Sequence, residues 1–107
     1  MMAITANVDL GNGVTASSCY IIVPNAYVKK FAPENDDESA TFKLIYDAHI
    51  YQNKSARDDY NRESKQIRCR EVDHFKIDYD PTTSDNPFKL AYTHLKTNSS
   101  LSSVADA

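Results

Sequence analysis

Tryptophan is absent from this 107-residue chain, and glycine occurs only at Gly11 and Gly13. So few glycines exclude the glycine-rich loops that cradle phosphates. They also shift the bends of the chain onto asparagine, aspartate, serine and four prolines, residues that turn the backbone by their own hydrogen bonds or by a fixed φ. Cysteine is equally sparse. Cys19 and Cys69 have neither a Cys-x-x-Cys partner nor histidines at ligand spacing, so the sequence encodes no recognisable zinc site. Buried free thiols are the expectation, and a cross-strand disulfide is the less favoured alternative in a reducing compartment. No stretch approaches the roughly 20 apolar residues of a membrane helix. The opening residues lack the basic and apolar regions of a signal peptide, so folding in a cytoplasm without a membrane partner is expected. Positive charge is short as well: the formal net charge is −3 and the pI about 5.5. A surface that displaces counterions from nucleic acid needs clustered cations, so nucleic acid is not an expected partner. The nearest basic cluster, Arg62, Lys65, Arg68 and Arg70, is interleaved with Glu63, Glu71 and Asp73 and reads as a solvated strand face.

What remains is ordinary globular material. With 41% apolar and 25% charged residues, the chain can bury one core, and its length favours a single domain over residues 1–107. Ile4–Leu10 alternates and runs into Gly11-Asn12-Gly13, a hairpin turn that pairs it antiparallel with Val14–Val23. Pro24 ends that second strand, and a third follows at about Ala26–Phe31. Residues 33–39 (Pro-Glu-Asn-Asp-Asp-Glu-Ser) read as an exposed acidic loop. Their spacing is not that of an EF-hand, which argues against calcium.

From Thr41 to Gln52 the alternation is the most regular in the chain. Phe42, Leu44, Tyr46, Ala48 and Ile50 share one face, and Ile45 and Tyr51 stand among charges on the other. A second sheet layer or a subunit contact would explain that exception. Asn53 or Ser55 caps a helical turn that Asn61 stops, and a long strand runs from about Lys65 to Tyr79. Its parity changes between Cys69 and Phe75, so either Glu71 and Asp73 lie at an edge or a bulge sits near Val72. An Asp85 or Asn86 cap before Pro87 starts a helix. Phe88, Ala91, Tyr92 and Leu95 form its apolar stripe to about Thr97. The expected fold is therefore α+β, mainly β: an antiparallel sheet or small sandwich of about five strands with one C-terminal helix packed on it. Residues 1–97 would form the folded core and 98–107 an irregular tail or docking arm.

Catalytic equipment is not evident. His49, His74 and His94 are scattered over two strands and a helix, so sequence groups no nucleophile with a base. Asp78-Tyr79-Asp80 places two carboxylates on one side of a strand, but it is best explained as a strand end entering a turn. A cluster of His74, Asp78 and Glu71 around an ion would be the enzyme reading. The expectation is no enzyme, no catalytic, cofactor-binding or metal residue, and no small-molecule substrate.

One resemblance adds a positive expectation. Asn86-Pro87-Phe88-Lys89-Leu90-Ala91-Tyr92-Thr93-His94-Leu95-Lys96-Thr97, followed by Val104-Ala105-Asp106-Ala107, resembles the end of small structural proteins of tailed phages. Those carry an Ala-Tyr-x-x-Leu-Lys-Thr helix and a short Ala-x-Asp-x ending. The run Ile50 to Asp58 and the opening Gly-Asn-Gly-Val-Thr-Ala-Ser-Ser-Cys-Tyr are similar to their pattern too. This chain has Asn98-Ser99-Ser100-Leu101 where the family often has Leu-Pro-Glu-Phe. The resemblance implies a virion component made in the host cytoplasm, most naturally in the tail or baseplate. It would form a homo-oligomer and contact other phage structural proteins. A capsid decoration protein is the alternative role, and a cytoplasmic protein-binding module the alternative class.

Overall fold

The computed structural model describes residues 3–11, 13–31 and 40–107, with the backbone alone for Glu63. The expected acidic loop at 33–39 and Asn12 of the hairpin turn lie outside the described residues. Among the described residues, eight strands, all paired antiparallel, make a five-stranded and a three-stranded sheet. β1 (Ile4–Gly11) and β2 (Val14–Ile22) form the expected hairpin, with Ile4 opposite Ile21 and Gly11 opposite Val14. Gly11 and Gly13 both take positive φ, the conformation for which glycine has no steric penalty. β3 (Ala26–Phe31) pairs along its whole length with β4 (Thr41–Asp47).

The regular run from Thr41 to Tyr51 does not stay in one sheet. It breaks at Ala48, and β5 (His49–Tyr51) continues in the larger sheet beside β2. Its partner arm divides at the matching level. β6 (Gln66–Ile67) pairs with β5, and β7 (His74–Asp78) pairs with β4. One bent hairpin therefore belongs to both sheets, and the Ala48 N–H donates to the Asp73 carbonyl at 2.7 Å where the arms cross. Leu44, Tyr46, Ala48 and Ile50 keep one parity through the bend and are all fully buried, as the period of two requires.

This crossing corrects the expected single strand over 65–79. The parity change near Val72 is a passage between sheets, in which Val72 is buried and its N–H donates to the Cys69 carbonyl. It also accounts for the two apolar residues off the main face. Ile45 stands in register between Tyr27 and Lys76 on the face of the smaller sheet opposite Leu44 and Tyr46 and is itself buried, and Tyr51 is buried near the helical segment that follows it. That segment is α1 (Lys54–Asp58), capped by Asn53, whose Oδ1 accepts from the Ala56 N–H at 2.8 Å. A single 3-10 turn, Arg62–Lys65, leads into β6.

α2 (Pro87–Leu95) starts where proline and an asparagine cap predict, Asn86 Oδ1 accepting from the Lys89 N–H at 2.8 Å. Ala91, Tyr92 and Leu95 are buried against the sheets, in contact with β3 and β4. Phe88 departs from its expected place in this stripe: it is 45% exposed. The residues after α2 correct the expected irregular tail. Leu101–Asp106 is β8, the edge strand of the larger sheet, paired with β1 from Val8–Leu101 to Ile4–Asp106. Lys96 Nζ also reaches Asp106 Oδ1 at 2.5 Å. Two divided strands and this added one bring the expected five strands to eight.

β1 is flanked by bulges at overlapping levels. β2 carries one extra residue opposite Ala6–Val8 and β8 one opposite Thr5–Asn7, and Ser18 and Ser103 there adopt positive φ. A non-glycine residue in that region is stabilised by local bonding, and the Ser18 N–H donates to Asn7 Oδ1 at 2.9 Å. Cys19 and Cys69 are free and buried. The core is one cluster drawn from both sheets and α2, and it includes Ile4, Val8, Ile21, Leu44, Tyr46, Ile50 and Leu95. Leu101 is among its buried members. Leu101→Ala should therefore cost about 2–4 kcal/mol of stability, read as a lower urea midpoint. Ser102→Ala, on the exposed side, should leave it unchanged within about 0.5 kcal/mol. Equal behaviour of the two variants would show that β8 is undocked.

Candidate functional site

A groove of about 820 Å³ lies where the end of β2, β5, the α1 turn and the start of α2 meet. Each wall follows from local sequence. Pro24 stops β2, leaving the Val23 N–H without a strand partner; that N–H donates to Tyr92 Oη at 2.9 Å in a buried bond. Burial raises the Tyr92 phenol, only partly offset by this bond, so the hydroxyl stays protonated and fixes α2 against β2. The Asn86 cap sets the first turn of α2, from which Phe88 and Lys89 face the groove. Tyr51 forms the floor opposite.

The cationic side comes from the hairpin tip. Arg57 lies in the last turn of α1. Asp59 braces the turn that follows, accepting from Lys65 Nζ and from the Asn61 N–H, both at 2.8 Å. The Lys65 ammonium, then that backbone bond, hold the Asp59 carboxyl below the usual range. The brace presents Arg62 to the groove. Arg57, Arg62 and Lys89 thus share one lining that contains no carboxylate, in a chain of net charge −3. Lys89 Nζ is 3.0 Å from Asp85 and an Arg57 terminal nitrogen 3.6 Å from Asp58. Arg62 makes no ion pair among the described residues. Arg57 Nε is buried without a hydrogen-bond partner among them, an arrangement that ordinarily costs about 1–3 kcal/mol. Chemically, cations beside exposed aromatic surface suit a carboxylate-bearing polypeptide segment.

The basic cluster read from sequence is dispersed. Arg62 enters the groove, Lys65 pairs with Asp59, and Arg68 and Arg70 are exposed between the sheets' strands. Arg57, Lys89 and Phe88 were not legible as one site, because the hairpin tip and α2 meet only through the fold. The off-parity Tyr51 was the one local signal.

The histidines also stay apart. His49 lines the groove. His74 Nδ1 is 2.5 Å from Asp47 Oδ1, while Asp78 is paired with Lys43. Lys43 holds the Asp78 carboxyl down, and Thr82 does the same for Asp80, which here accepts from the Thr82 backbone and hydroxyl in a turn. His74 and Asp78 sit at opposite ends of β7, about 13 Å apart at strand rise, too far to share an ion. No cluster of potential metal ligands occurs among the described residues.

His94 lies beside a second, smaller groove of about 420 Å³ between α2 and β7. Its Nδ1 is 2.5 Å from Tyr46 Oη, and its ring stands edge-on to Tyr46 and Phe75, which stack at 4.9 Å. Burial raises the Tyr46 phenol and lowers His94. The phenol therefore donates and the neutral imidazole accepts.

No family model, curated protein or solved structure matches the chain.

Because the folded state holds His94 below its ordinary value of 6.5, the unfolded chain takes up that proton first. Stability present above about pH 6.5 is then lost as pH falls toward the lower folded value. Urea midpoints should drop between pH 7.5 and 5.5, and His94→Gln should flatten that slope; an unchanged slope would place His94 outside the titrating set. The lowered carboxyls of Asp59, Asp78 and Asp80 act in a separate window, their contributions fading only as pH falls below about 4.

Proposed function

We propose that this chain is a structural subunit of a tailed-phage particle, in the tail or baseplate, that works by contact with other phage structural proteins and has no catalytic role. Its place would be the virion, and copies of it would assemble with one another. We read the two sheets with α2 across them as a small sandwich closed by a helix.

The observation that carries this reading is the set of open sheet edges. β8 bounds the larger sheet, and β3 and β7 bound the smaller one. Such strands offer unpaired N–H and C=O groups to a neighbour. Large apolar side chains accompany them on the surface: Tyr27 on β3 is 52% exposed, and Tyr60 at the hairpin tip 96%. The described residues span about 50 × 29 × 24 Å, an elongated body with much surface for its volume. Of the stretches that resemble phage structural proteins, the longest is α2 and its continuation into β8, so that part of the resemblance falls on an element packed in the core and on one of these edges.

Mass spectrometry of purified particles tests the proposal. The chain should be present in a fixed, stoichiometric amount relative to the other tail components. A stable monomer on native mass measurement, together with absence from intact particles, would reject it.

A further inference from the structure

We infer that the cationic groove receives the acidic run Glu34–Glu38 of a second copy, so that subunits join head to tail. The inference rests on the assembly reading above and names the contact through which copies meet.

Charge complementarity comes first. The groove gathers Arg57, Arg62 and Lys89 with no carboxylate in its lining, whereas Glu34, Asp36, Asp37 and Glu38 stand within five residues with no cation among them. Lys89 and Arg57 keep exposed ion pairs with Asp85 and Asp58 behind the lining, and Arg62 has none among the described residues. Close packing of opposite patches fixes register and excludes like-charged alternatives.

Placement then requires the contact to be between copies. The groove lies at the Pro24 end of β3, while the acidic run is anchored at the other end, through Phe31 and its partner Thr41. Five strand steps separate Ala26 from Phe31, about 17 Å. Asp36 is five residues from either anchor, so even a fully extended chain carries it at most about 17 Å away. That length is consumed in returning along β3, leaving none to enter the groove of the same molecule. The groove and the two anchors of the acidic run thus lie at opposite ends of β3. A contact between two different surfaces is heterologous, and its repetition gives a ring where the rotation closes and a filament where it does not.

Aromatic surface supports a peptide in preference to a small anion. Phe88 is 45% exposed at the groove although it belongs to the helix stripe, and Tyr51 and Tyr92 complete an apolar wall. Pro33 at the head of the acidic run suits such a surface.

Charge exchange in the full-length chain provides the test. Variant one carries Arg62→Glu and Lys89→Glu; variant two carries Asp36→Lys and Asp37→Lys. Sedimentation of the unaltered chain should show self-association that weakens with added salt, and each variant alone should associate about tenfold or more less tightly. An equimolar mixture should recover association, because each reversed groove meets a reversed acidic run and each native groove a native one. Recovery also shows that neither variant has merely misfolded. The inference is overturned if the unaltered chain stays monomeric up to about 1 mM, if variant one associates as well as the parent, or if mixing restores nothing. Failure here leaves membership of the particle to be decided by its composition, whereas absence from particles with charge-dependent association intact rejects the phage role and retains the contact.

Discussion

The hydrogen bond from Ala48 N–H to the Asp73 carbonyl, 2.7 Å long, sits where a single hairpin leaves one sheet and enters another. A strand changing sheets must give up its ladder partners for a residue or two, and buried backbone groups left unpaired there are expensive. Here the two arms change sheets together, so each supplies the group the other lacks. The net gain from one such bond is only about 0.5–1.5 kcal/mol, but leaving its buried donor unmade costs about 1–3. Ala48 is almost wholly enclosed, and a small side chain lets the arms approach at the bend. Leu44 and Tyr46 on one side and Ile50 on the other then point into the same core. The turn at the tip of the hairpin is carried to the side of α2, where the groove forms.

Strand existence was largely legible in the sequence, while strand membership was not. The alternation predicted a buried face correctly from Leu44 to Ile50, though Phe42 at its start is only partly buried, and a period of two does not say which sheet a residue joins. The bulges hid more. Leu101 and Val104 are three residues apart and read as scattered anchors in an irregular tail. Ser103, with positive φ, absorbs the extra residue, so both side chains reach the core. The same device separates Ala16 from Cys19 around Ser18, where the flanking β-branched residues made the strand readable anyway. Capping chemistry was the most dependable guide: Asn53 and Asn86 start their helices as expected.

The groove was the least legible part, because its members come from six separate elements. Helical spacing placed Phe88 on the apolar stripe, and that spacing is real. Phe88 nevertheless stays 45% exposed, and its ring lines the groove with the cations of the hairpin tip. Net charge was a poor guide for a similar reason. A total of −3 describes the sum over the chain, and a binding surface depends on how that sum is distributed.

The pairing of β8 with β1 has a kinetic side. Ile4 and Asp106 are partners about a hundred residues apart, so closing that ladder carries the entropy of a long loop and slows folding relative to the local β1–β2 hairpin. Until β8 arrives, β1 is an edge strand with Ile4, Ala6 and Val8 beside an open ladder. The interval before closure is when a crowded chain is most exposed to pairing with the wrong molecule. Slower docking of β8 lengthens that interval, whatever the strength of the finished sheet.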